Sequence, residues 1–382
     1  LDKPIIIATL MRQDGETGVQ THVRSLVDYL AGAGHGFDLV TPYSAPRWQV
    51  YPVFALRRLI DPVHRSTSVW WYRHWHAVFL FRALRRRLAD GSPCIVYAQC
   101  PVSAAAALRA RASPAQRVAL VVHFNVSQAD EWADKGAIAR GGRLFRAIRA
   151  LEAATLPRLD GLVYVSRFMR ALVEQNIGGL APIPAAVLPN FLPAQAARAA
   201  GAPAQPAGDL ISIGTLEPRK NQGFLLQVLA AAARAGHSYT LDVVGDGPDR
   251  GSLRDLANAL GVGGQVRFLG FQAGAAGLIA GHRAYVHAAR VENLPLSLIE
   301  GLRAGIPLFA APVGGVPEVF DDGVEGRFWD LEDPGASAKI LCDTLSSEAG
   351  VRRMGEAARA RFAAEFSSAA VGRRLLEFLL TL

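Results

Sequence analysis

Short apolar runs punctuate this chain, and between them apolar residues recur three and four apart along otherwise polar stretches. The runs Ile5–Ala8, Phe37–Val40, Ile95–Ala98, Val118–His123, Leu162–Val165 and Ala186–Leu188 predict strands. Helical spacing predicts helices near 19–31, 76–89, 102–111, 140–156 and 167–176. The pattern then fails: residues 193–208, rich in Ala, Pro and Gly, keep no period and predict a linker. It restarts with strands over Leu210–Ile213, Thr240–Val244, Val266–Leu269, Ala284–His287 and Pro307–Ala310. Helices are expected near 221–235, 249–260, 294–304, 335–346 and 350–365, followed by an apolar tail, Leu375–Leu380. Alternation of this kind predicts an α/β fold built on parallel sheets. The expected division is one domain over 1–192, the linker, a second domain over 209–365 and a final helix over 366–382.

Length agrees with that division, because 382 residues exceed one ordinary core and suit two. A hydrophobic content of 51% with 19% charged residues describes a globular protein, and no apolar run reaches the roughly 20 residues a membrane span needs. The opening Leu1-Asp2-Lys3-Pro4, leading into Ile5-Ile6-Ile7-Ala8, reads as a first strand rather than a signal peptide. Cys94, Cys100 and Cys342 form neither a disulfide framework nor a metal-ligand spacing, so reduced thiols in a cytoplasmic protein are expected. Abundant arginine and alanine hint at a GC-rich bacterial genome.

Charge changes the picture more. Residues 1–192 hold 23 Lys and Arg against 13 Asp and Glu, whereas the remainder holds 18 against 20. The excess gathers in Arg57, Arg58, Arg65, Arg73, Arg82, Arg85, Arg86 and Arg87, interleaved with Trp48, Trp70, Trp71 and Trp75. Three readings stay open: contact with an anionic membrane surface, a solvated helix with tryptophan in its core, and a nucleic-acid patch. No nucleic-acid motif accompanies the charge, so no nucleic-acid partner is expected.

In open parallel sheets, ligands bind beyond the carboxyl ends of strands. Gly15-Glu16-Thr17-Gly18 follows the first strand, and its glycines either admit a phosphate or simply make the turn. His123 ends an apolar strand; it is either a hydrogen-bonded structural group or a ligand contact. Asn125, Asp130 and Glu131 follow it as candidates for the acceptor side, with a helix cap or surface charge as the alternative for the two acids. Arg219 and Lys220 stand at the start of a second-domain helix after Thr215 and suit a diphosphate, unless they are a surface pair. Val244-Gly245-Asp246-Gly247 is a strand-end turn. Glu292 and Glu300 bracket Asn293, Leu294, Pro295 and Leu296 with seven residues between the two carboxylates. The apolar run from Leu294 predicts a helix whose free N–H groups form an anion site.

The run E-N-L-P-L-S-L-I-E, the following A-G-I-P and G-G-V-P-E, and G-T-L-E-P-R-K-N earlier in the second domain together resemble the retaining GT-B glycosyltransferases of the family 4 (glycosyl transferases group 1) type. The resemblance covers most of the chain and is thinnest between Tyr43 and Ala89. It implies two Rossmann-like domains whose parallel sheets face one another across a cleft, the first for the acceptor and the second for the nucleotide-sugar, with the last helix packing back on the first. It implies transfer of a hexose from a nucleoside-diphosphate sugar with retention, without metal or other cofactor. Glu292 would orient the sugar and Glu300 the ribose; Arg219 and Lys220 would steady the leaving diphosphate; His123 would contact the donor sugar. Gly18, Thr215, Gly245 and Asn293 to Leu296 would line the donor. Thr17 stands where relatives have a glycine, and Thr215 where many have an arginine. The E-P-R-K-N variant leans toward GDP-mannose, and the basic first domain toward a glycan or polyprenyl-diphosphate-linked acceptor of surface polysaccharide synthesis on the inner face of the cytoplasmic membrane. A sugar-nucleotide epimerase of the same fold and a noncatalytic membrane-associated binding protein are the competing readings.

Overall fold

The computed structural model describes all residues except 1, 2, 13, 14, 16, 125 and 195–206. It divides into two compact units, 1–189 with 371–382, and 190–370. Most of the expected linker, and the acceptor-side candidate Asn125, lie outside the described residues.

The first unit is a six-stranded parallel sheet ordered β2-β1-β3-β4-β5-β6. Its strands are β1 (Ile5–Ala8), β2 (Phe37–Val40), β3 (Cys94–Ala98), β4 (Gln116–Val122), β5 (Gly161–Tyr164) and β6 (Ala185–Val187). Parallel strands need crossover helices on both faces, which is why β1, β3 and β5 are buried along their whole length. The helices are α1 (Gly18–Gly32), α2 (Arg47–Ile60), α3 (Arg65–Arg87), α4 (Pro101–Ala110), α5 (Gln128–Asp134), α6 (Arg143–Thr155) and α7 (Arg167–Asn176). Three features depart from the sequence pattern: α2 and α5 were not expected, and α3 begins eleven residues before the helix expected at 76.

The second unit is another six-stranded parallel sheet, ordered β12-β11-β10-β7-β8-β9. It uses β7 (Gly208–Ile213), β8 (Leu241–Val244), β9 (Val266–Gly270), β10 (His282–Val286), β11 (Leu308–Ala310) and a short strand missed in the sequence, β12 (Gly326–Phe328). Around it run α8 (Gln222–Arg234), α9 (Arg250–Ala259), α10 (Ala276–Ile279), α11 (Leu296–Ala304), α12 (Pro334–Leu345) and α13 (Glu348–Arg361). Phe224, Leu229, Leu241, Val243, Phe309 and Trp329 are among the buried residues that hold helices to sheet. A fully buried side chain of that size contributes roughly 1.5–3 kcal/mol. Strand order reverses between β7 and β10, so a crevice opens at their carboxyl ends.

The last helix, α14 (Arg373–Leu380), belongs to the first unit. Val371, Leu375 and Leu379 are buried there, Gly372 sits against the Tyr29 ring, and Leu382 packs at Gly161. Among the described residues no helix is long and apolar enough to cross a membrane.

Candidate functional site

The loops leaving β7 and β10 meet where the second sheet reverses its order. After β7 the chain runs through the exposed Thr215 into a short 3-10 turn, Pro218–Lys220, with proline in its first turn where no N–H is needed. Asn221 then adopts a left-handed conformation, φ 53°, which asparagine tolerates better than most residues, and α8 begins. The Gln222 side-chain amide donates to the Thr215 carbonyl at 3.0 Å, fixing the turn. After β10, the Arg290 amide donates to the Arg219 carbonyl at 3.0 Å, so the two loops are joined by backbone. A third loop joins them: the Gly315 amide donates to the Glu292 carbonyl at 3.0 Å.

That framework brings Glu292 and Lys220 together. Glu292 is 8% exposed, and its Oε1 accepts from the Lys220 ammonium and, at 3.0 Å, from His287 Nε2. Its Oε2 accepts from no described side chain or amide, which leaves one oxygen pinned and one available. Burial pushes this carboxyl up, but the His287 bond and the Lys220 charge outweigh it and hold the group down at about 2. Glu292 is therefore a carboxylate, an acceptor for hydroxyls and not a proton donor. Arg219 pairs with Glu217 and is half-exposed, so both cations of the turn rest on carboxylates.

His287 was missed in the sequence because it reads as the last residue of an apolar strand. It lies one residue beyond β10; its amide donates to the Phe309 carbonyl at 2.8 Å, and its carbonyl accepts from Trp329 Nε1 at 3.1 Å. Asn190 contributes as well: its Nδ2 donates to the Leu294 carbonyl at 3.3 Å, steadying the segment between the two glutamates. That segment differs from expectation in one respect. The helix starts at Leu296 with Pro295 as its cap, two residues later than expected, because Pro295 keeps an extended conformation. Leu294 and Pro295 are buried, Asn293 and Leu296 half-buried, and Glu300 stands half-buried on the helix. In the first turn of α11 the Leu298 amide donates to the Pro295 carbonyl at 3.2 Å, whereas the Leu296 and Ser297 amides have no acceptor within the helix.

Gly245 is explained by packing. Its φ is +132°, and a Cβ there would lie 2.0 Å from the Gly214 carbonyl oxygen, so the turn after β8 presses on the turn after β7. The neighbouring backbone alone requires this glycine.

In the first unit, Gly18 opens α1, and Thr17 supplies a capping box with Gln20. Thr17 thus has a structural task that a glycine could not perform. A cavity of about 230 Å³ lies between α1 and the β1–β2 edge, lined by Met11, Val23, Val27 and Leu39 with Arg12 and Arg24. His123 follows β4, and its ring stands edge-on to His22 of α1 at 4.9 Å between centroids. Tyr97 of β3 completes the group, its hydroxyl 3.5 Å from His22 Nε2. Burial first, and the neighbouring His22 second, push His123 well below the usual histidine range, so it is neutral at physiological pH. His22 was legible only as a residue of the helix after the glycine turn.

Asp130 ion-pairs with Arg140 and, at 3.5 Å, with Arg149. Glu131 lies half-buried in the first turn of α5. The start of α5 is held by a buried network that the sequence did not announce. Ser127 Oγ donates to Glu152 at 2.5 Å, the Gln128 amide donates to the same carboxylate at 2.9 Å, and Arg73 donates to the Gln128 side chain at 2.8 Å. Arg73, counted among the basic surface residues in the sequence, is therefore buried and structural.

Two family models match the chain: Glycosyltransferase Family 4 over residues 17–195, and Glycosyl transferases group 1 over residues 195–361. N-acetyl-alpha-D-glucosaminyl L-malate synthase of Bacillus anthracis is 32% identical over 126 residues, about a third of each protein (33%). The GDP-mannose-dependent alpha-(1-6)-phosphatidylinositol monomannoside mannosyltransferase of Mycobacterium tuberculosis is 25% identical over 95% of this chain and 94% of its own length. Among solved structures, Anabaena HepE in complex with UDP superposes with a TM-score of 0.69 over 100% of both chains at 16% identity.

Proposed function

This chain belongs to the GT-B glycosyltransferases of the family 4, group 1 type, and from that premise we propose that it moves a hexose, with retention, from a nucleoside-diphosphate sugar to a glycan or lipid-linked oligosaccharide acceptor. The observation that carries the donor half is Glu292, ionised, pinned through one oxygen and open at the other. The open oxygen would accept from the sugar hydroxyls. Arg219 and Lys220 would exchange their carboxylate partners for the diphosphate as negative charge develops on the leaving group, each charge-assisted bond contributing about 1.5–3 kcal/mol. The α11 amides of Leu296 and Ser297, with Asn293 and Leu294 beside them, would add to that stabilisation, and Glu300 would take the ribose. From the first unit we assign His123 to the donor sugar; as a neutral imidazole it accepts or donates one hydrogen bond without adding charge. No step is assigned to a metal or a cofactor.

Mannose as the sugar is supported by the GDP-mannose-dependent relative that aligns along 95% of the chain. The acceptor we place at the inner face of the cytoplasmic membrane as part of surface polysaccharide synthesis, on the support of the basic excess in the first unit. Asp130 and Glu131 remain its candidates there. A thermal-shift and turnover screen of GDP- and UDP-sugars tests the reading. One donor should stabilise the protein and release its nucleoside diphosphate on transfer, with the product anomer matching the donor. Inversion of the anomer would reject retention, and epimer formation without acceptor would replace transfer.

A further inference from the structure

Helix α2, absent from the sequence expectation, is apolar on both sides. Its inner side is accounted for: Val50 is buried, Phe54 stacks on His76 at 4.1 Å, the Val53 carbonyl accepts from Trp71 Nε1 at 2.8 Å, and Arg57 donates to Ser68 at 3.1 Å. Its outer side carries Trp48, Tyr51, Leu56 and Leu59, which at about 100° per residue share one broad helix face, and Val63 lies just beyond. Trp48 is 75% exposed, Leu59 73% and Val63 83%. These side chains project from a helix already packed on its other side, and no described residue covers them.

The charge around this face is one-sided. Between Tyr43 and Arg65 there are four arginines and a single acidic residue, Asp61. Arg58, on the helix, and Arg65, two residues beyond Val63, stand exposed. We propose that the outer face of α2, from Trp48 to Val63, is the surface that seats this protein on an anionic lipid bilayer. The proposal rests on the membrane association proposed above and names the surface responsible for it. Apolar side chains enter the headgroup boundary while the flanking arginines meet anionic lipid. Charge selects the bilayer over a second copy of the chain. A two-fold contact must be complementary to itself, and this segment would bring arginine to arginine with one carboxylate per copy to offset them.

The same geometry removes Arg85, Arg86 and Arg87 from the contact. They lie about 30 Å along α3 from Arg65, at roughly 1.5 Å per residue, and Arg87 is engaged by Asp38 at 2.8 Å. Trp71 and Trp75 are half-buried between helices.

Co-sedimentation of the whole chain with vesicles of phosphatidylcholine, alone or mixed with phosphatidylglycerol, tests this. The wild type should bind the mixed vesicles at low salt and release as salt rises. A combined Trp48→Ser, Leu59→Ser, Val63→Ser variant should lose about tenfold or more in binding while its melting temperature and donor-induced stabilisation stay unchanged. An Arg85→Ala, Arg86→Ala, Arg87→Ala variant should bind within about threefold of wild type. Binding that survives the first variant and falls in the second overturns the surface while keeping membrane association. No binding of wild type at low salt overturns both. Self-association in sedimentation velocity that the first variant abolishes, without vesicle binding, assigns the face to a second copy and overturns the proposal as well.

Discussion

Glu292 joins three loops through different atoms. Its carbonyl holds Gly315, one carboxylate oxygen holds Lys220 and His287, and the other is open. Its folded pKa of about 2 lies below the ordinary 4.5, so its contribution to stability is complete above pH 4.5 and is lost as pH falls through 2. A shift of that size corresponds to something on the order of 3 kcal/mol. Urea denaturation across pH should therefore show wild type and Glu292→Gln furthest apart near neutrality and converging toward pH 2. A constant gap would separate the stability of Glu292 from its charge. His287 acts through Glu292 and is a positioning residue. His287→Leu should lower kcat about 10- to 100-fold with a smaller change in the donor KM, and His287→Gln, which keeps a donor, should recover much of it. Steady-state kinetics decide the matter, and equal rates in both variants would give His287 a packing role alone. His123 has the opposite acid behaviour to an activated base: kept neutral by burial and by His22, it destabilises the fold when pH drops below the usual histidine range.

At the scale of elements, the turns after β7 and β8 show how the site is built from backbone. Gly245→Ala drives a Cβ into the Gly214 carbonyl at a φ that other residues avoid, and should cost about 3 kcal/mol or more. Gly251→Ala, in α9 with nothing within 4 Å of the new atom, should be neutral or stabilise by up to about 1 kcal/mol. Chemical denaturation of the pair separates crowding from general intolerance. The contrast also marks what a sequence discloses. Strands such as β1, with Ile5, Ile6 and Ile7 fully buried, declare themselves because burial on both faces demands an unbroken apolar run. Glu292 and Lys220 could each be singled out because each sits in a dense motif, although their contact with one another could not. Helix α2 could not be anticipated, since Pro52 within it reads as a helix breaker. The Asn190–Leu294 bond and the Arg73–Glu152 network were invisible for another reason. Each joins polar groups on different elements, and no local period reports such pairs.

For the whole molecule, the two units make separable predictions. The chain's last twelve residues bury Val371, Leu375 and Leu379 in the first unit, so deleting 371–382 removes three core side chains and exposes their seat. That truncation should destabilise the first unit by several kcal/mol and leave nucleotide-dependent stabilisation of the second unit intact; calorimetry with and without donor reads both. Ligand bound at 100 times its dissociation constant should add about 2.7 kcal/mol to the unit that holds it. The central claim is that Lys220 and Glu292 form the donor site of a glycosyltransferase. Its most direct test is the rate of nucleoside-diphosphate release from the best donor found, in wild type, Lys220→Ala and Glu292→Gln. The expected result is loss of about a hundredfold or more in both variants, with both still folded. Turnover at the wild-type rate in either would contradict it.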